Sequence, residues 1–171
     1  IRRRQRQMCI RDSPDGGAST GNPGTTTGAL RIRLPQNRRN SSTMLRMTVK
    51  VYEYSTGRST TFEIGGYNYG PGNWYNIFAT QLTDAGRSAF TIRWGDDGSR
   101  EFITIGETGT TWSYPQVYIT EVQTGHSGYS TNWGSGWSID FATSISGVEQ
   151  SRTASLVLTT NNSSANGDIY G

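Results

Sequence analysis

Apolar residues recur at every second position through the middle of the chain. Leu30, Ile32 and Leu34 alternate with Arg31 and Arg33, and Leu45, Met47, Val49 and Val51 alternate with Arg46, Thr48, Lys50 and Tyr52. A period of two puts successive side chains on opposite faces of a pleated strand. Phe62 and Ile64 resume the pattern after a Ser-Thr-Gly-Arg turn, so 44–54 and 59–66 form a hairpin. Trp74, Asn76, Phe78, Thr80 and Leu82 share one face of a further strand, entered through Gly70-Pro71-Gly72. Phe90, Ile92 and Trp94 run into Gly95-Asp96-Asp97-Gly98, and 102–105 return from that turn as a second hairpin. Val117 and Ile119 give one more strand face, and Trp137, Ile139, Phe141, Thr143 and Ile145 another. Ala154, Leu156 and Leu158 complete the set. No stretch carries a convincing helical period. The expected fold is an all-β, antiparallel two-sheet β-sandwich of jelly-roll-like kind, with about eight or nine strands over residues 28–159.

Composition sharpens this reading. Only 32% of the 171 residues are hydrophobic, but 22 Gly, 9 Tyr, 5 Trp and 5 Phe suit short strands joined by tight turns. Residues 14–27 are Gly, Ser, Thr, Pro, Asn, Asp and Ala, a flexible linker by composition, and 160–171 form a second such tail. No apolar run approaches the ~20 residues of a membrane span, so membrane insertion is not expected. The formal charge is +3, of which residues 1–13 contribute +4 from five arginines against Asp12, leaving 14–171 at −1. A nucleic-acid footprint requires basic charge clustered on the folded unit. Here the cations sit in the leader, which argues against nucleic acid as a partner. That leader, IRRRQRQMCIRDS, resembles a translated sequencing-adapter artefact and is set aside from fold reasoning. It also holds Cys9, the sole cysteine, so disulfides and thiol chemistry are excluded from the body.

Candidate chemistry is sparse. His126, the single histidine, lies in a Gly/Ser/Thr stretch with no metal-ligand spacing and reads as a loop residue near aromatics. No metal and no cofactor is expected. A glycoside-cleaving pair could be drawn from Asp96, Asp97, Glu101 and Glu107, which lie on or near one hairpin. Asp-Asp-Gly is also an ordinary turn sequence, and that reading is preferred. Calcium at Asp96 and Asp97 is a weaker possibility, without EF-hand spacing. The aromatic, Gly/Ser-rich stretches are more distinctive. Tyr114 follows Trp112, and His126, Tyr129, Asn132, Trp133 and Trp137 fall close together. Rings beside hydroxyl and amide groups suit a sugar, which offers an apolar C–H face and a rim of hydroxyls. His126, Tyr129, Asn132, Trp133 and Tyr114 are the candidate ligand-binding residues, while Trp112 and Trp137 are expected to enter the core.

Four stretches carry a resemblance: GALRIRLPQ, TVKVYEYSTGRSTTFEIGGYNYGPGNWYN, FTIRWGDDGSREFITIGETGTTWSYPQVYITEV and NWGSGWSIDFATSI. In collinear order, from about Gly28 to Ile145, they resemble a C-terminal region of tail fibre proteins from bacteriophages of marine and gut metagenomes. The resemblance implies a non-enzymatic virion domain on an extracellular tail fibre, assembled as a homotrimer and touching a host cell-surface glycan or other receptor. In that family the region often precedes a self-cleaving chaperone domain; this sequence carries none and is expected to be truncated at both ends. Tyr52, Tyr54 and Tyr67, on outward strand faces, are the expected lining of a three-fold axis. The competing readings are a glycan depolymerase of the tailspike kind and a bacterial carbohydrate-binding adhesin domain.

Overall fold

The computed structural model describes residues 22–35, 42–54, 57–69, 73–84, 88–126, 133 and 135–159. The leader, residues 14–21 and the tail from 160 lie outside the described residues. Among the described residues there are strands and no α-helix. In chain order they are β1 (Thr25–Thr27), β2 (Ala29–Arg33), β3 (Thr43–Glu53), β4 (Arg58–Asn68), β5 (Trp74–Asp84) and β6 (Thr91–Asp96). They continue as β7 (Glu101–Ile105), β8 (Thr111–Ser113), β9 (Pro115–Gly125), β10 (Ser138–Ala142), β11 (Val148–Thr153) and β12 (Ser155–Thr159). Two five-stranded sheets face each other: sheet 1 in the order β10-β2-β7-β6-β11, and sheet 2 in the order β12-β5-β4-β3-β9. β1 and β8 add a two-stranded ribbon.

The period of two does the sorting. In β3, Leu45, Met47, Val49 and Val51 are buried, while Met44, Arg46, Lys50 and Tyr52 face out. β3 pairs with β4 in unbroken antiparallel register from Thr43↔Asn68 to Glu53↔Arg58, the hairpin expected from the sequence. β6 and β7 form the second hairpin, closed by Asp97 N–H donating to Arg100 O at 3.0 Å with Gly98 at a φ of 94°. Inward residues of both sheets, among them Ile32, Ile92, Ile103, Met47, Phe62, Ile64 and Ile119, merge into one core. Trp112 closes it, stacked on Phe90 at 5.2 Å and donating its indole N–H to Gly28 O at 2.9 Å.

The all-β two-sheet sandwich is as expected, and three details differ. The strands are not all antiparallel: β12 runs parallel to β5, from Ser155↔Thr80 to Thr159↔Asp84. The chain crosses from β11 in sheet 1 to β12 in sheet 2 at buried Ala154, whose N–H donates to Phe90 O. β11 itself has no apolar alternation to reveal it, because it is a largely exposed edge strand. The linker is shorter than its composition suggests: Thr25–Thr27 pairs with β8. Finally, β5 does not keep Trp74, Asn76, Phe78, Thr80 and Leu82 on one face. The β4–β5 register shifts between Gly65 and Tyr67, so Trp74 points into the core while Leu82 is 41% exposed. One extra residue in a strand moves everything beyond it to the other face.

Candidate functional site

The aromatic side chains divide sharply. Trp74, Trp94 and Trp112 are buried, and Trp133 is 7% exposed. Trp137 is half-buried and donates its indole N–H to Trp133 O at 2.9 Å, with the two rings edge-on at 5.7 Å. The indoles therefore serve packing, where their large area contributes most. Tyr129 and Asn132 lie outside the described residues. Tyr114 is 40% exposed at a φ of 49° and meets Tyr54 edge-on at 5.9 Å. His126 is exposed at a φ of 81°, with its ring 5.2 Å from that of Tyr67. Thus Tyr114 and His126 do not share a site: one lies beside the start of β9, the other just past its end.

The four acidic candidates do not converge on a cleft either. Asp97 is a turn-former. Its Oδ1 accepts from the backbone N–H groups of Ser99 and Arg100, and its Oδ2 from Arg33 Nε at 2.7 Å. Burial pushes its carboxyl up, but the Arg100, Arg33 and Ser99 hydrogen bonds outweigh that and hold it below the usual range. Glu107 is bound through both oxygens by Arg93 at 2.7 Å, which lowers its pKa. Glu101 differs: it points inward on β7, fully buried opposite Asp96. Trp74 on the facing sheet donates its indole N–H to Glu101 Oε2 at 3.1 Å, a polar strut across the sandwich. The Asn68 amide lies beside the same carboxyl without reaching hydrogen-bond geometry. Burial raises the Glu101 pKa to about 7; Asn68 and Trp74 pull it down, and the charges of Glu149 and Asp96 push it up. A general acid must come within reach of its substrate, and this carboxyl faces packed core. Among the described residues no group of His, Cys, Asp and Glu is arranged to hold a metal ion.

A cleft opens elsewhere, on the outer face of sheet 2. Its cavity of about 660 Å³ is lined by Met44, Leu45, Arg46, Gly66, Tyr67, Asn76, Phe78, Gln123, Thr124, Gly125 and His126. Two bulges frame it. On one flank β9 carries an extra residue against β3, between the levels of Arg46 and Thr48; on the other β5 carries one against β4, between Gly65 and Tyr67. The Arg46↔Gly65 pair lies at the same level as both. A bulge bends its strand and increases its twist, so two at one level bend both flanks of the β3–β4 hairpin. Each bulge contains a non-glycine residue in the left-handed region, Asn76 at 49° and Glu121 at 53°; His126 adds a third at the rim. Such conformations cost roughly 1–3 kcal/mol each and tend to cluster where a protein binds something. Gly65 supplies the remaining space. A Cβ there would lie 2.6 Å from the Phe78 ring and collide with Leu45 O, so only glycine lets that ring lie over the strand.

The cleft wall continues as a row of rings. His126 meets Tyr67, Tyr67 meets Tyr69 at 5.9 Å, and Tyr69 meets Tyr75 at 6.5 Å, with Tyr69 57% and Tyr75 49% exposed. Asn76 and Gln123 contribute amides, Thr124 a hydroxyl and Arg46 a cation. Of these residues the sequence had singled out only His126 as a ligand candidate. The rest are spread over β3, β4, β5 and β9, and Gly65-Gly66 within a strand pattern was the one local sign of a close approach. Comparison with family models, with curated proteins and with solved structures finds no match to this chain.

Proposed function

We propose that this chain is a receptor-recognition domain of a bacteriophage tail fibre, which grips a host cell-surface glycan in the cleft on the outer face of sheet 2. The observation that carries the glycan reading is the cleft itself. Half-buried and exposed rings stand beside two amides and an arginine, over a backbone held in a strained shape by two bulges. An aromatic face takes the C–H side of a pyranose while amides bond its hydroxyls. The strained, glycine-floored backbone arranges these groups before ligand arrives, which lowers the ordering cost of binding. The tail-fibre setting is supported by the sequence resemblance. Binding at one shallow site is expected to be weak and to gain strength through several copies on one fibre.

A second aromatic patch lies at the far end of the same face. Tyr52, Tyr54, Tyr118 and Tyr114 are 40% exposed or more, and Tyr52 and Tyr118 are diagonal neighbours across β3 and β9. We assign it to subunit contact in a homotrimer; Tyr67, also expected at such an axis, belongs to the cleft instead.

A glycan array probed with the fluorescently labelled chain tests the glycan reading. Binding to a restricted set of glycans is expected, with loss of at least tenfold in Tyr67→Ala and no loss in Trp133→Phe, whose ring stays in the core. Retained binding in Tyr67→Ala, or cleavage of a bound polysaccharide that stops in Glu101→Gln, overturns it.

A further inference from the structure

We propose that the cleft takes an anionic saccharide, its carboxylate or phosphate held by Arg46 while its apolar ring face lies on Tyr67 and Phe78. This rests on the glycan reading above and narrows it. The cleft lining contains Arg46 and no Asp or Glu, so the one charged side chain on its wall is a cation. The way Arg46 is held matters more. Glu63 accepts from its Nε alone, at 2.7 Å. Among the described residues nothing takes the two terminal Nη groups. Three arginines of sheet 1 are committed differently. Arg31 gives Nε and Nη2 to Asp140, Arg33 is divided between Asp97 and Asp140, and Arg93 binds both oxygens of Glu107. Guanidinium N–H groups in a fixed fork match the paired oxygens of a carboxylate or phosphate, which an ammonium cannot do.

Glu63 acts as a positioning residue. It stands on β4 opposite Thr48 and does not line the cleft, so it fixes the guanidinium from outside without adding negative charge to the wall. Arg46 and Glu63 have side chains 54% and 42% exposed, so the pair contributes little to stability and its loss leaves the fold intact. The amides of Asn76 and Gln123, from the two flanking strands, remain for hydroxyls on the same sugar. A bare anion would use the arginine and leave the rings idle, whereas a neutral sugar would use the rings and leave the arginine idle. An acidic sugar uses both.

The test is calorimetric titration of the 171-residue chain, at fixed low ionic strength. The probes are a panel of uronate-bearing oligosaccharides, their carboxyl-reduced neutral counterparts, sugar phosphates and inorganic phosphate. At least one acidic ligand is expected to bind about tenfold tighter than its neutral counterpart, the effect of one charge-assisted contact at a partly exposed site. In Arg46→Gln the acidic ligand should fall to the neutral level; Arg46→Lys should restore only part of the preference, and Glu63→Gln should reduce it without changing neutral affinity or melting temperature. Uronates and sugar phosphates separate the two sources of the anion. Equal affinity for acidic and neutral ligands overturns this inference and leaves the glycan reading standing, as does a preference that survives Arg46→Gln. Inorganic phosphate binding as tightly as the acidic sugars also overturns it, by showing an anion hole without sugar recognition. No binding to any saccharide in the panel overturns the glycan reading itself.

Discussion

The two sheets share an architecture and finish their outer faces in opposite ways. On sheet 1, Phe102 and Thr104 point away from the core, opposite Arg33 and Arg31 in the register, yet they are 1% and 0% exposed. Arg31, Arg33, Asp140 and Asp97 link into a chain of ion pairs at 2.7–2.9 Å on that face, with Arg93 and Glu107 beside it. Gly147 crosses so close to Gly95 that a Cβ there would also meet the Phe102 ring at 2.7 Å. On sheet 2 an Arg46–Glu63 pair stands among outward apolar side chains left uncovered: Met44 is 56% exposed, Tyr75 49%, Tyr118 44% and Leu82 41%. A pleated sheet supplies two equivalent faces. What distinguishes them is whether outward side chains are capped by charge or left as open rings. Contiguous exposed apolar surface is where folded domains tend to make contacts, so on the function proposed above it is the outer face of sheet 2 that would meet a partner.

Deleting an outward ring from each face is the sharpest way to break this contrast. Phe102→Ala should behave as a core deletion, costing about 3–5 kcal/mol in chemical denaturation. Tyr118→Ala, equally outward by register, should stay within about 0.5 kcal/mol. Similar losses from both would erase the distinction.

The pH profile comes next, because sheet 1 carries one titrating group toward the core, Glu101, and another on its outer face, Asp140. Glu101 has a folded pKa raised from 4.5 to about 7. Its neutral form is favoured in the fold, so its contribution is complete below pH 4.5, is lost as pH rises to about 7 and is absent above. The change should be on the order of 2–3 kcal/mol, and Glu101→Gln should flatten it. Asp140 works in the opposite sense. Burial raises its pKa, but the Arg31 and Arg33 contacts dominate and lower it. The stability it contributes is present above its ordinary value of 3.8 and lost as pH falls through the lower folded value. Denaturation from pH 2 to 9 should therefore show a maximum near the acid side, not a plateau at neutrality. Asp140→Asn should cost about 1 kcal/mol at pH 6, a modest value because its side chain is 39% exposed, and should weaken the acid limb.

The smallest effect in stability is the largest in function. Tyr67→Ala should change the unfolding midpoint little, since the ring is only half-buried, and should abolish glycan binding measured by calorimetry.

Much of the fold was legible because most strands alternate cleanly. The β3–β4 hairpin, the Asp97 turn, the outward tyrosines and the buried Trp112 are dictated by period and turn chemistry. The features that escaped each have a physical reason. β11 is an exposed edge and so lacks an apolar face, and the parallel pairing of β12 results from a crossing at Ala154 that leaves no mark in the chain. The bulges at Asn76 and Glu121 each insert one residue and exchange inside for outside along the rest of the strand. The cleft is built on those two reversals, so the interruption that defeats a strict period also creates the site. The stretch around Trp133 attracted notice for its rings, but an indole near a core edge lowers free energy by entering the core, whereas the smaller, hydroxyl-bearing tyrosines can stay wet.

The register of sheet 2 also places the cleft relative to the points where the described chain enters and leaves the sandwich. The cleft belongs to the pole where Thr43 meets Asn68 and Met44 meets Gly125. Thr159 pairs with Asp84 at the other pole, and Gly24 joins Tyr114 there, beside the Pro115↔Glu53 pair. Both points where the described chain continues outward are thus on the same side, away from the cavity. A stalk or neighbour attached through either would join the molecule at the pole opposite the cavity.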